Sequence, residues 1–224
     1  AHTPAPTAPH TPGAENEWAG ALALLANEGT LERAELLDRC LAKLLRGDRP
    51  ANLRGFGLLT ERLAPDNDEV ASRLATYVAL AARGAGPCAR LAQNALRELD
   101  DAGRLGSVTL AELSKAVLAR PERSLVAAQL SWVDTAVRRD SSRAPELLNA
   151  TSAAFAHPAV TVQERALRVV IRHLRHLDTT QTAALQDAAR QLDAVLRDEA
   201  TRVLGGNATT AAASQTPPAL LPPY

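Results

Sequence analysis

The chain contains 224 residues, and its 25 basic and 25 acidic side chains give a formal net charge of zero. A neutral chain has no long-range attraction to nucleic acid or to an anionic membrane, so any such binding would need a local patch. Helix-forming alanine, leucine, arginine and glutamate are abundant, aromatic residues make up 3%, and no stretch alternates polar and apolar residues over the length of a strand. The composition therefore predicts an all-α protein.

Flexible segments are predicted at both ends of the chain. Residues 1–16 (AHTPAPTAPHTPGAEN) and 205–224 (GGNATTAAASQTPPALLPPY) are rich in Pro, Thr and Ala and have too little apolar surface to offset the entropy of ordering. A helical-repeat domain is predicted between them, over residues 17–204. The chain starts at Ala1 and contains no methionine, so we expect a piece of a larger parent protein. No apolar run reaches the roughly 18 residues of a membrane span, and we expect no membrane association.

Amphipathic segments with apolar residues at i, i+3, i+4 and i+7 fill the domain and predict helices. They cover residues 18–27, 31–47, 51–64, 67–82, 87–101, 108–118, 122–139, 143–156, 160–176 and 180–203. In residues 31–47 the predicted apolar stripe consists of Ala34, Leu37, Leu41, Leu44 and Leu45. Thr30 is predicted to cap this helix and Gly47 to end it, while Glu35 and Arg39 are spaced to form an ion pair.

Every second predicted helix opens with a proline. Pro50, Pro87, Pro121 and Pro158 follow one another at intervals of 37, 34 and 37 residues, and proline suits the first helical turn because no N–H is needed there. Inside the following helices, Leu59, Ala95, Leu130 and Ala166 recur at steps of 36, 35 and 36 residues. A helix pair that repeats at this period indicates a right-handed α-solenoid of helix pairs with a period of about 36 residues.

The segment VTVQERALRVVIRHL, residues 160–174, resembles the second helix of a HEAT repeat, with Val162, Ala166, Leu167 and Val170 at the motif positions. The resemblance to HEAT or armadillo-like arrays covers about residues 30–177. The stretches LLDRCLAKLLRGDRPANLRGF, LAPDNDEVASRLATYVAL and RPERSLVAAQLSWVDTAVRRD are similar to an uncharacterised actinobacterial family known only as a domain of unknown function. These resemblances imply a helical array within a larger protein and bring no catalytic residues.

No residue pattern specifies a reaction, and we predict no catalytic residue, no metal and no cofactor. His173 and His176 could supply half a metal site but are expected on the solvated surface, and His157 is expected in a turn between helices. The paired carboxylates Asp100-Asp101 and Asp198-Glu199 are expected at solvated helix ends or in i,i+4 pairs. Trp132 is expected to be a packing residue.

The two cysteines of the chain are Cys40 and Cys88, which lie in separate predicted helices without the spacing of a metal site. In a helical chain of this size such cysteines are most often reduced core residues. We therefore expect free, buried thiols and a cytoplasmic protein.

Arginines mark the predicted binding surface. In residues 158–178 the predicted buried side consists of Val162, Ala166, Leu167, Val169, Val170 and Leu174, which leaves Arg165, Arg168, Arg172, Arg175 and both histidines facing outward. Second helices of such arrays line a concave face, so the predicted binding residues are Arg54, Arg90, Arg97, Arg123, Arg165, Arg168 and Arg172. The alternative is that these arginines are solvated or paired with Glu61, Glu98, Asp134 and Glu164.

These features favour a non-catalytic protein–protein interaction or scaffold module, which would bind a protein, an acidic peptide or another domain of its parent chain. One alternative is a HEAT-like enzyme of the alkylpurine DNA glycosylase type, which holds DNA in a basic concave groove. Zero net charge and six aromatic residues argue against that alternative, so we do not expect nucleic-acid binding. A purely structural spacer is the third possibility.

Overall fold

The computed structural model describes residues 14–213, with side chains for residues 16–49 and 52–205. Within this part of the chain there are twelve α-helices, four short 3₁₀ turns and no strand, which confirms the all-α prediction. The helices are α1 Ala14–Asn27, α2 Arg33–Arg46, α3 Pro50–Leu63, α4 Asn67–Ser72, α5 Leu74–Arg83, α6 Gly86–Asp101, α7 Ser107–Leu118, α8 Arg123–Arg139, α9 Ala144–Thr151, α10 Val160–His173, α11 Thr179–Ala188 and α12 Ala194–Ala213. The 3₁₀ turns are Ser141–Arg143, Ser152–Ala156, Leu174–His176 and Ala189–Gln191. Most of the two segments predicted to be flexible lies outside the described residues.

Helix α2 shows how the periodic pattern becomes a helix with one buried face. Its buried residues are Leu37, Cys40, Leu41 and Leu44, while Ala34 is exposed and Leu45 is half-buried. Gly47 ends the helix at φ +76°, as predicted, since glycine adopts a positive φ without strain. The predicted cap at Thr30 is wrong, because Glu32 is the N-cap, and its side chain accepts no capping hydrogen bond. Glu35 and Arg39 form the predicted ion pair, at 2.6 Å.

Two segments predicted as single helices are each interrupted. Residues 67–82 become α4 and α5, which meet at Arg73. Residues 180–203 become α11 and α12, separated by a 3₁₀ turn and by Leu192 and Asp193. At the second interruption Leu192 is buried, and the backbone N–H of Asp193 donates to Gln163 Oε1 on α10 at 2.8 Å. Contacts with another helix therefore replace the local helical bonds there.

The predicted proline positions are confirmed at two helices out of four. Pro50 and Pro87 lie in the first turns of α3 and α6. Pro121 and Pro158 lie one residue before the N-caps of α8 and α10, so they precede these helices instead of opening them. A proline outside the predicted period, Pro145, lies in the first turn of α9.

The described residues fold into two compact units, with the division between Arg104 and Leu105. In the first unit α3 packs against α1, α2 and α6, and α5 packs against α2 and α6. Its largest fully buried side chains are Tyr77 and Leu37, Leu41, Leu44, Leu59, Leu80, Leu96 and Leu99.

Cys40 and Cys88 are free and buried in this unit, as predicted. Burial raises the pKa of Cys40 to about 11 and also raises the pKa of Cys88, so both groups stay protonated thiols at neutral pH.

In the second unit most helices pack against helices one or two places away along the chain. Helix α7 contacts α8 and α9, α8 contacts α9 and α10, and α10 contacts α12, while α9 contacts α11. Trp132 and Phe155 are fully buried in this unit, together with Leu110 and Leu113. The prediction that Trp132 is a packing residue is therefore confirmed.

Candidate binding surface

The seven arginines predicted to bind a ligand are all exposed. Arg54, Arg90 and Arg97 lie on α3 and α6 in the first unit, and Arg123 opens α8 in the second unit. Helix α10 brings three of them together, since Arg165, Arg168 and Arg172 follow one another at i, i+3 and i+7 on one exposed strip of the helix. These three residues are called the arginine row below.

Some of these arginines are paired, as the alternative interpretation anticipated. Arg168 pairs with Glu164 one turn earlier on α10, and Arg172 pairs with Asp134 on α8 at 2.8 Å. Arg97 lies 4.0 Å from Asp101 and not beside Glu98.

Other arginines of the predicted surface are unpaired. Within the described side chains, Arg54, Arg123 and Arg165 take part in no ion pair. The structure thus shows both exposed, unpaired arginines and paired ones within the predicted surface.

Asp134 joins the arginine row to helix α8. Its side chain is 9% exposed, and its Oδ2 accepts a hydrogen bond from Arg172 at 2.8 Å and forms an ion pair with Arg138, at an N···O distance of 2.7 Å. Its other oxygen, Oδ1, lies 2.8 Å from Nε2 of the buried His173. Asp134, Arg138, Arg172 and His173 are called the Asp134 cluster.

The electrostatics of the Asp134 cluster keep the carboxylate charged. Burial by itself would raise the pKa of Asp134, but hydrogen bonds from His173 and Arg172, with the charges of Arg138 and Arg172, outweigh it and hold the pKa below its ordinary value. One carboxylate faces two guanidinium groups, so the cluster keeps an excess of positive charge. Both arginine side chains are more than half exposed, at 58% for Arg138 and 54% for Arg172, and each guanidinium carries five N–H donors. Most of those donors stay accessible to a ligand.

The prediction that His173 and His176 face solvent is wrong for His173, at the end of α10, and holds only in part for His176, in the 3₁₀ turn that follows. His173 is buried against Asp134, and His176 is half-buried and accepts from Arg175 Nε at 3.2 Å. Their ring centroids lie 6.3 Å apart. Across residues 16–49 and 52–205 no group of three or more His, Cys, Asp or Glu side chains is placed to hold a metal ion. His157 lies in the turn before α10, as predicted, where its Nδ1 accepts from the backbone N–H of Ala159 at 2.9 Å.

The predicted buried side of residues 158–178 is confirmed, since Val162, Ala166, Leu167, Val169, Val170 and Leu174 are all buried. Asp100 differs from expectation, because it is buried and not solvated. Asp101, Asp198 and Glu199 are exposed, as expected. Arg138 is not among the predicted binding residues, although its i,i+4 spacing from Asp134 is a signal in the sequence that points to it.

No protein-family model, no curated protein and no solved structure matches the chain. The resemblance to HEAT and armadillo-like arrays and to the actinobacterial family is therefore not supported by these comparisons, and the helical repeat stays a prediction. In the described part of the chain, none of the helices has both the length and the apolar character needed to cross a bilayer.

Proposed function

We propose that the protein is a non-catalytic interaction module, built as a right-handed α-solenoid of HEAT-like helix pairs, that binds an acidic segment of a partner protein. The binding site consists of the arginine row and Arg138. The order of packing in the second unit supports the repeat architecture, because α8, α10 and α12 contact one another in succession and so do α7, α9 and α11. Stacked helix pairs produce this order of contacts.

One observation is the main support for this binding site: two exposed guanidinium groups lie against a single oxygen of a buried carboxylate. Asp134 holds Arg138 and Arg172 in place before a ligand arrives, which reduces the side-chain entropy that binding would otherwise remove. Guanidinium groups bind carboxylates through two parallel hydrogen bonds. A ligand carboxylate that bridges Arg138 and Arg172 would therefore find its donors already positioned.

The histidine of the cluster supports binding and not catalysis. The His173 side chain is 5% exposed, and its Nε2 is already engaged by Asp134 at 2.8 Å. A general base must reach the proton that it removes from a substrate. The buried His173 therefore orients the Asp134 carboxylate through this hydrogen bond.

A fluorescein-labelled hexaglutamate peptide tests this proposal through fluorescence anisotropy. Two variants each remove two arginines: Arg138→Gln with Arg172→Gln, and Arg165→Gln with Arg168→Gln. The second variant leaves every contact of Asp134 intact, so it stays informative if the first folds poorly. Hydrogen bonds to charged groups contribute about 1.5–3 kcal/mol each, so we expect the Kd to rise by at least about tenfold in each variant.

The matched control is Arg39→Gln with Arg190→Gln, which removes the same charge from exposed arginines in ion pairs on α2 and in the 3₁₀ turn after α11. Its Kd should change by less than about twofold, because surface pairs of this kind contribute little. An equal loss of peptide affinity in all three variants would mean that only the net charge of the protein matters. That result would contradict the proposed binding site. A labelled DNA duplex that binds more tightly than the peptide would favour the glycosylase-like alternative instead.

A further inference from the structure

A groove of about 230 Å³ lies between α3 and α6 in the first unit. Its apolar wall consists of Leu53, Gly57, Leu58, Ala85, Pro87, Cys88 and Leu91. Leu53 and Cys88 are buried, whereas Leu58 and Leu91 are half-buried. This α3–α6 groove is smaller than the roughly 300–1,000 Å³ typical of small-molecule sites, yet larger than the ~150 Å³ cavity that holds a benzene ring. Its size fits a large apolar side chain better than a cofactor.

Gly57 keeps the groove open. Glycine is an unfavourable residue inside a helix, and two glycines lie close together in α3. A Cβ atom on Gly55 would collide with the ring of Trp18, so packing against α1 requires that glycine. A Cβ atom on Gly57 would meet no neighbouring atom within 4 Å. No contact inside the unit explains Gly57, and its missing side chain leaves room for a ligand.

Opposite charges flank the apolar wall. Arg54 and Glu61 line the groove on either side of Gly57, and both are exposed. Among the described side chains neither takes part in an ion pair. They are seven residues apart on α3, which places them about 10 Å apart along the helix axis. The groove therefore presents an unmatched positive group at one end and an unmatched negative group at the other.

We propose that the α3–α6 groove binds an amphipathic helix of a partner protein. The partner places one large apolar side chain over Gly57, a carboxylate against Arg54 and a basic group against Glu61. A helix lying along α3 carries residues i, i+3 or i+4, and i+7 on one face, and these have the spacing of the three subsites. An extended peptide covers about 10 Å in three residues, and its side chains at i and i+3 point to opposite faces. The site does not depend on ligand binding at the arginine row.

The test uses a stapled, fluorescein-labelled alanine-based peptide with Glu, Leu and Lys at positions i, i+3 and i+7, and measures its Kd by anisotropy. Gly57→Leu fills the groove and should raise the Kd at least about tenfold, a change of about 1.4 kcal/mol. Gly57→Ala is the matched control, since it adds only a methyl group in open space. Its Kd should stay within about threefold of the original protein. Both replacements favour the helix more than glycine does, so a folding defect is not expected to mimic the result.

Charge reversal tests the two ends of the groove. In Arg54→Glu both ends become acidic, and a second peptide with Lys at both outer positions should then bind at least about fivefold more tightly than the Glu–Lys peptide. The original protein should show the opposite preference. A third peptide with Ala in place of Leu should lose binding in every case.

Three results would overturn the proposal. The first is no binding of the Glu–Leu–Lys peptide at concentrations up to about 1 mM. The second is an unchanged Kd in Gly57→Leu or with the leucine-free peptide. The third is a sedimentation experiment in which the original protein is a dimer and Gly57→Leu is a monomer, because the groove would then hold a second copy of this chain.

Discussion

The α3–α6 contact of the first unit and the α8–α10 contact of the second join helices at equivalent positions of the predicted repeat, yet they are filled in opposite ways. Between α8 and α10 a buried carboxylate, Asp134, gathers His173 and two arginines. Between α3 and α6, Gly57 leaves an apolar groove. The packing of the helices is therefore compatible with a charged cluster or with an open groove. A few side chains, and not the repeat, decide which kind of ligand each contact can accept.

The largest effect that separates the two contacts is expected from Asp134→Ala. The substitution leaves His173 buried without its acceptor and leaves two guanidinium groups facing each other. Removing one member of a buried ionic group costs about 3–5 kcal/mol, and the partial exposure of both arginines places the expected loss near 3 kcal/mol. Urea denaturation measures the loss, and a change below about 1 kcal/mol would show that the cluster does not hold α8 and α10 together.

Gly55→Ala should produce the next largest effect, a loss of about 2 kcal/mol, because the added methyl group collides with the ring of Trp18. Trp18 also packs edge-on against Phe56, with ring centroids 5.7 Å apart, so the ring has little freedom to retreat. The matched control is Gly57→Ala, two residues further along α3, which should stabilise the protein by about 0.5–1 kcal/mol. Thermal unfolding of both variants measures the contrast. Equal effects of the same sign would mean that the space around the two glycines does not differ as described.

Much of the fold follows from the sequence pattern, and the exceptions have a common cause. Apolar periodicity predicts the helical segments and the buried side of α10, because the apolar stripe that each helix buries is set by the sequence of that helix alone. The interruption at Asp193 has no local signal, since neither glycine nor proline occurs there. It arises from a hydrogen bond to Gln163, 30 residues earlier. The apolar pattern of one helix carries no information about its contacts with helices that are distant in the sequence.

The candidate site follows the same rule. The arginine row is visible in the sequence as i, i+3 and i+7 spacing on one helix. The burial of His173 is not visible, because its acceptor, Asp134, lies 39 residues away on another helix. Gly57 likewise looks like an ordinary helix-weakening residue until the structure shows empty space beside it.

A smaller difference between the α8–α10 and α3–α6 contacts is expected in how their contributions to stability depend on pH. The pKa of Asp134 is lower in the folded protein than its ordinary value, so the folded state favours the charged carboxylate. The stability that this charge contributes is complete above the unfolded-state pKa of about 4 and is lost as the pH falls through the lower, folded-state pKa.

The difference in unfolding free energy between the original protein and Asp134→Asn should therefore narrow as the pH falls below about 4. Taking the difference cancels the titration of carboxylates common to both proteins, such as Glu69 and Glu122, whose pKa values are also lowered by arginine partners. The corresponding difference for Gly57→Ala should not vary with pH, because that change adds no titratable group. If the Asp134→Asn difference also stays constant in acid, the ionised carboxylate does not stabilise the α8–α10 contact, and the arginines are not held in place by its charge.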